Sequence, residues 1–137
     1  MNKEHTIVLL EENPQLYLDR DSMTDQSLTM FGFACGDGWF EIIRKMSIKL
    51  TALIKSEKEP ELRAIQVRER FGALSFNANI MNGNIKQAIE EAELESRNVC
   101  EVCGGNGELF HKDGQLKTLC VGCGLRHGFL PTRGLEG

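Results

Sequence analysis

Cys100-Glu101-Val102-Cys103-Gly104 is answered, with sixteen residues between Cys103 and Cys120, by Cys120-Val121-Gly122-Cys123-Gly124. This is C-x2-C…C-x2-C, the spacing of a four-thiolate site with a gap in the zinc-ribbon range. Zn2+ has no geometric preference from its d electrons and takes four soft ligands tetrahedrally. Each cysteine pair therefore has to lie on a tight turn that aims both sulfurs inward. The glycine after each second cysteine suits such a turn, because it accepts positive φ without a Cβ penalty, and amides in the turn then point at the thiolates. The expected ligands are Cys100, Cys103, Cys120 and Cys123, and the expected cofactor is a structural Zn2+. A rubredoxin-like iron site uses the same paired turns and competes with zinc. Thiol–disulfide redox chemistry would want one C-x-x-C beside a βαβ pattern, which the sequence does not display. A closed set of four thiolates leaves no open coordination position for a substrate. His111, between the pairs, and His127, after them, could each replace Cys123, but a complete set of cysteines makes that unnecessary.

The segment around these cysteines is poor in large apolar side chains: Val99, Val102, Leu109, Phe110, Leu116, Leu119, Val121, Leu125 and Phe129 are the inventory. The preceding residues are richer and read as an α+β body. Trp39, Ile43, Met46, Leu50 and Leu53 recur at helical spacing, with Asp37 or Gly38 as the cap and Pro60 as the stop. Leu74, Phe76, Ala78 and Ile80 alternate with Ser75, Asn77 and Asn79, and Ile65 and Val67 form a shorter run of the same kind. With Gly72 closing the turn, these runs predict an antiparallel hairpin packed on the Trp39 helix. The core of this body is expected around Trp39, Phe71, Leu74 and Phe76.

A second helix follows Asn82-Gly83, with Asn84 and Gln87 as a capping box, an apolar stripe of Ile85, Ala88, Ile89 and Ala92, and a Glu93–Arg97 pair. Ile7 to Leu10, ahead of Asn13-Pro14, fit a helix or a buried strand equally well. Between Gln15 and Gly38 no period holds, and Phe31, Phe33 and Cys35 among glycines suggest an ordered loop. The expected organisation is an α+β body over residues 1–98, a small antiparallel hairpin or sheet on helices, then a zinc ribbon over 99–129 and a flexible tail over 130–137. The second helix runs almost directly into Cys100, so the ribbon is expected to pack on the body.

With 137 residues, 41% hydrophobic and 26% charged, the chain is of ordinary globular make-up. Its polar start, Met1-Asn2-Lys3-Glu4-His5, is neither a signal peptide nor a membrane span, and a cytoplasmic, thiol-reducing location is expected, where paired cysteines serve as metal ligands. The net charge of −4 comprises −5 over residues 1–96 and +1 over 97–137, before thiolates and metal add about −2. Neither part is a basic nucleic-acid face. The basic run from Arg44 to Arg70 is interleaved with Glu57, Glu59, Glu61 and Glu69, the pattern of a mixed solvated surface. Cys35 has no histidine near it in sequence and reads as a buried, inert thiol. His5 has no context, and no phosphate-cradling loop, H-E-x-x-H or G-x-S-x-G occurs. No catalytic residue is assigned, and the expected class is not an enzyme.

In four blocks the sequence resembles a family of small proteins encoded by bacteriophages and prophages. The blocks are Asn13-Pro14-Gln15-Leu16-Tyr17-Leu18-Asp19-Arg20, Gly32-Phe33-Ala34-Cys35-Gly36-Asp37-Gly38-Trp39-Phe40, Gln66-Val67-Arg68-Glu69-Arg70-Phe71-Gly72-Ala73-Leu74-Ser75-Phe76, and Cys100-Glu101-Val102-Cys103-Gly104 with Thr118-Leu119-Cys120. In that family the fourth ligand position is often histidine, where this chain has Cys123. The resemblance implies a phage or prophage origin and action inside a bacterial cell, and supplies no reaction. The expected function is that of an accessory protein binding a host or phage protein, for example an inhibitor of a host defence system such as an anti-CRISPR. Nucleic-acid binding through the ribbon and the Arg44–Arg70 charges is the alternative.

Overall fold

The computed structural model describes residues 1–18 and 32–132. Among them are four helices and two three-stranded sheets, an α+β architecture. The ambiguous start is a helix, α1 (Lys3–Glu12). Asn2 caps it by accepting from the His5 amide at 2.7 Å, and the helix stops at Asn13, ahead of Pro14. The Asn13 side chain then ties the end of α1 to the body, donating to Leu9 O and accepting from Thr51 Oγ1.

Phe33–Ala34 form a short strand, β1, where the sequence suggested a loop; residues 19–31 of that stretch, Phe31 among them, lie outside the described residues. After a 3-10 turn at Asp37–Trp39 comes α2 (Phe40–Lys55). It buries Ile42, Ile43, Met46, Ser47, Leu50, Thr51 and Ile54, a stripe wider than the expected one and displaced from Leu53, which is only partly buried. The chain returns as β2 (Ala64–Arg70), parallel to β1 with Phe33 opposite Val67, and turns back as the antiparallel β3 (Ala73–Ala78). The expected hairpin is thus the larger part of a mixed sheet ordered β1-β2-β3.

Two details of the hairpin differ from the alternating pattern. The register shifts between Ala64 and Gln66, so Ala64 and Val67 face the core while Ile65 is 62% exposed. At the tip, Phe71 and Gly72 both have positive φ, +52° and +86°, the signature of a tight two-residue hairpin turn. Phe71 is consequently 73% exposed and is not the core residue that its hydrophobicity suggested. A side chain of its size in the left-handed region costs about 1–2 kcal/mol.

Helix α3 (Gly83–Ser96) buries Ile85, Ala88, Ile89 and Ala92 as its stripe predicts, but its cap is Asn82, which accepts from the Ile85 amide at 3.3 Å, and not Asn84. Nor does Glu93 pair with Arg97. Its carboxylate accepts from the Phe76 amide at 3.0 Å, and Ser96 Oγ accepts from the Leu74 amide at 2.9 Å. Two outward-facing amides of edge strand β3 are thereby satisfied by α3.

The C-terminal segment forms the second sheet, ordered β5-β4-β6, from β4 (Glu108–Lys112), β5 (Gln115–Leu119) and β6 (Leu130–Pro131), with helix α4 (Val121–Arg126) between the last two. Leu130 and Pro131, assigned to the tail by sequence, pair with His111 and Phe110. Residues 133–137 of that tail lie outside the described residues. Phe110, Leu119 and Phe129 are buried here together with Cys100 and Cys123. Among the described residues no helix is long and apolar enough to cross a membrane.

Candidate metal centre

The two cysteine pairs are presented by different local structures. Cys100 and Cys103 lie on a tight turn in which the Gly104 amide donates to Cys100 O and Gly104 takes φ +83°. That is the conformation for which a glycine was expected. The second pair departs from the two-knuckle ribbon. Cys120 is the N-cap of α4 and Cys123 sits in its first turn, with the Cys123 amide donating to Cys120 Sγ at 3.3 Å. Gly124 is therefore helical, and its glycine has another cause: a Cβ there would lie 2.5 Å from the Phe110 ring. The module is a knuckle, a hairpin and a helix.

The four sulfurs converge. Each offers a ligand atom within 4.8 Å of the others, and Cys103 Sγ and Cys120 Sγ are 3.6 Å apart. Cys100 and Cys123 are buried, while Cys103 and Cys120 are reached by solvent. The Cys123 amide, and then its side chain, hold the Cys120 thiol down to about 7, and the Gly105 amide lies 3.5 Å from Cys103 Sγ. Four convergent thiols with amides aimed at two of them are a cluster able to hold a metal ion. His111 lies on β4 and His127 at the end of α4, and neither belongs to the cluster.

The knuckle is seated in the body by the Gly36-Asp37-Gly38 loop. Gly38 N donates to Glu101 O at 2.7 Å, and Gly36 N to Glu101 Oε2 at 2.9 Å. A Cβ on Gly38 would come within 2.0 Å of Cys100 O, and one on Gly36 within 2.4 Å of Glu101 O, so only glycine permits this approach. Trp39 Nε1 donates to Val99 O at 2.8 Å, joining the centre of the body core to the residue before the first ligand. Glu101, between two cysteines, is buried and accepts from Lys117, whose ammonium also reaches Glu69. Burial alone would push Lys117 down, but Glu101 and Glu69 outweigh it and hold the lysine above its ordinary range. Thr118 Oγ1 donates to Gly72 O, so the tip of the body hairpin is also tied to the module.

Asp37 does not cap α2; its carboxylate accepts from the Asn2 amide at 2.6 Å and meets His5 Nδ1 at 3.0 Å. The Asn2 amide, then His5, hold it below the usual aspartate range. His5, which had no context in sequence, stacks on Phe40 with ring centroids 4.0 Å apart. These partners lie 32 to 35 residues apart, and no local pattern announces them. Cys35 is buried, and burial, with the Glu101 charge, pushes its thiol up to about 12, which suits an inert core side chain. Comparison of the chain with protein-family models, with curated proteins and with solved structures returned no match.

Proposed function

We propose that the protein is a non-enzymatic binding protein whose C-terminal module is closed by a structural Zn2+ on Cys100, Cys103, Cys120 and Cys123, and which acts on a host or phage protein. The observation that carries the metal reading is the convergence of four sulfurs within 4.8 Å. A tetrahedron with Zn–S distances of about 2.3 Å places its sulfurs about 3.8 Å apart, and the 3.6 Å between Cys103 and Cys120 fits that spacing. Zinc supplies the cross-link; the chain's own residues bury two ligands, aim amides at the others and seat the knuckle on Gly36 and Gly38. Four protein ligands close the coordination shell, which supports a structural role over a catalytic one.

Binding to a protein is favoured over nucleic acid because three of the four basic side chains of α2 are already engaged. Arg44 pairs with Glu12, Lys45 with Glu95 and Lys49 with Glu91. Phosphate recognition needs such side chains clustered and unneutralised. The phage setting, and within it inhibition of a defence system, rests on the sequence resemblance. Pull-down from bacterial lysates with intact and chelator-treated protein tests the reading. A partner retained only by the metal-loaded form is expected, and none across several hosts would overturn it.

A further inference from the structure

We propose that the tip of the β2–β3 hairpin, with the groove beside it, is the docking surface, and that it takes an acidic protein segment carrying an apolar side chain. This rests on the reading of the chain as a binding protein and names the surface and the chemistry of the partner.

Three observations meet there. First, Phe71 is both 73% exposed and held at φ +52°, a conformation that favours Asn, Asp or Gly, so neither burial nor turn preference accounts for the aromatic ring. Second, a groove of about 470 Å³ runs between the hairpin tip, the end of α3 and β4, its lining including Arg70, Phe71, Glu93, Arg97, Leu109 and Thr118. It spans the junction of body and module, where Thr118 Oγ1 holds Gly72 O. Third, the charge of this groove opposes that of the chain. The Arg70 guanidinium lies 5.4 Å from the centre of the Phe71 ring, and neither Arg70 nor Arg97 makes an ion pair among the described residues. Glu93 also lines the groove, but its carboxylate accepts from the Phe76 amide, and Glu69 accepts from the Gly72 amide and Lys117. Two guanidiniums without an ion pair among the described residues therefore flank an exposed aromatic on a molecule of net charge −4.

Exposed guanidiniums beside an aromatic recognise carboxylates by forked hydrogen bonds, while the ring and Leu109 offer apolar contact. A nucleic-acid strand would need the basic track to continue. Here it ends at α3, where Glu91 and Glu95 are already bound to lysines of α2.

The test is selection of random twelve-residue peptides displayed against the metal-loaded full chain, followed by affinity measurement on three variants. Phe71→Asn suits the turn and so keeps the hairpin folded, Arg97→Glu reverses the charge, and Ile48→Asn alters an exposed position on α2. Selected peptides should carry at least two acids beside an apolar residue, and their binding should weaken about tenfold or more in Phe71→Asn and Arg97→Glu and not in Ile48→Asn. Peptides without acids, no selected peptide, or affinity indifferent to Phe71→Asn would each overturn the proposal. So would tight low-salt binding of a twenty-nucleotide oligothymidine that Phe71→Asn abolishes, which would make the surface one for single-stranded nucleic acid. A cellular partner captured equally well by Phe71→Asn would remove this surface and leave the binding function standing.

Discussion

Around Trp39 the body buries Ile43, Met46, Leu50, Val67, Phe76 and Ile89, whereas the module buries Phe110, Leu119 and Phe129 beside two of its own cysteines. The first region has the apolar material of an independent core. In the second, two ligands occupy places that large side chains would fill in the body. The module is therefore seated through its knuckle against Gly36, Gly38 and Trp39, and on the reading proposed above a metal held by its four cysteines would supply the second support. The difference teaches that neighbouring parts of one short chain can fold by unlike means, joined at backbone contacts too close for a Cβ.

The hardest test of this contrast is loss of a ligand. Cys120→Ser or Cys103→Ser removes metal binding that contributes on the order of 10 kcal/mol, so amide protection should collapse across β4, β5 and α4 and persist in α2, β2 and β3. Elemental analysis and hydrogen exchange read both halves, and a module still protected without metal would erase the distinction. Cys35→Ser, in the body core, should leave metal content unchanged.

Seating is probed by Gly38→Ala, whose Cβ would meet Cys100 O. A loss of about 2–3 kcal/mol in denaturant unfolding is expected, with metal stoichiometry kept. Loss of metal as well would show that seating and ligation are not separable.

Phe71→Asn should act in the opposite direction. Relieving the left-handed aromatic should raise stability by about 1 kcal/mol, and an unchanged denaturation midpoint would mean that the turn tolerates Phe71 without strain.

The smallest effect is expected at Asp37, on the edge of the body. Its carboxyl is held below the ordinary value of 3.8, chiefly by the Asn2 amide. A lowered folded-state pKa contributes stability that is present above the ordinary value and is lost as pH falls through the lowered one. Asp37→Asn should therefore lower the thermal midpoint slightly at pH 6, and the difference should vanish in strong acid. A deficit that persists there would assign Asp37 a role other than its charge.

The clustering of the four cysteines, the α+β class, the Trp39 helix and the stripe of α3 were legible in the sequence, because each is written in local spacing: two residues between cysteines, three or four along a helix face, two along a strand. Only the tertiary structure decided that the second cysteine pair lies on a helix, that β1 joins the sheet, that Ile65 and Phe71 face solvent, and that Glu93 and Asp37 serve distant amides. The reason is that each depends on a partner far along the chain. A bulge is defined by the opposing strand, and an amide on an edge strand is satisfied by whichever helix packs against it. Gly36 and Gly38 show the same limit: their spacing was visible in the chain, but their cause, the backbone of Cys100 and Glu101 at less than a Cβ's reach, exists only once the two regions meet.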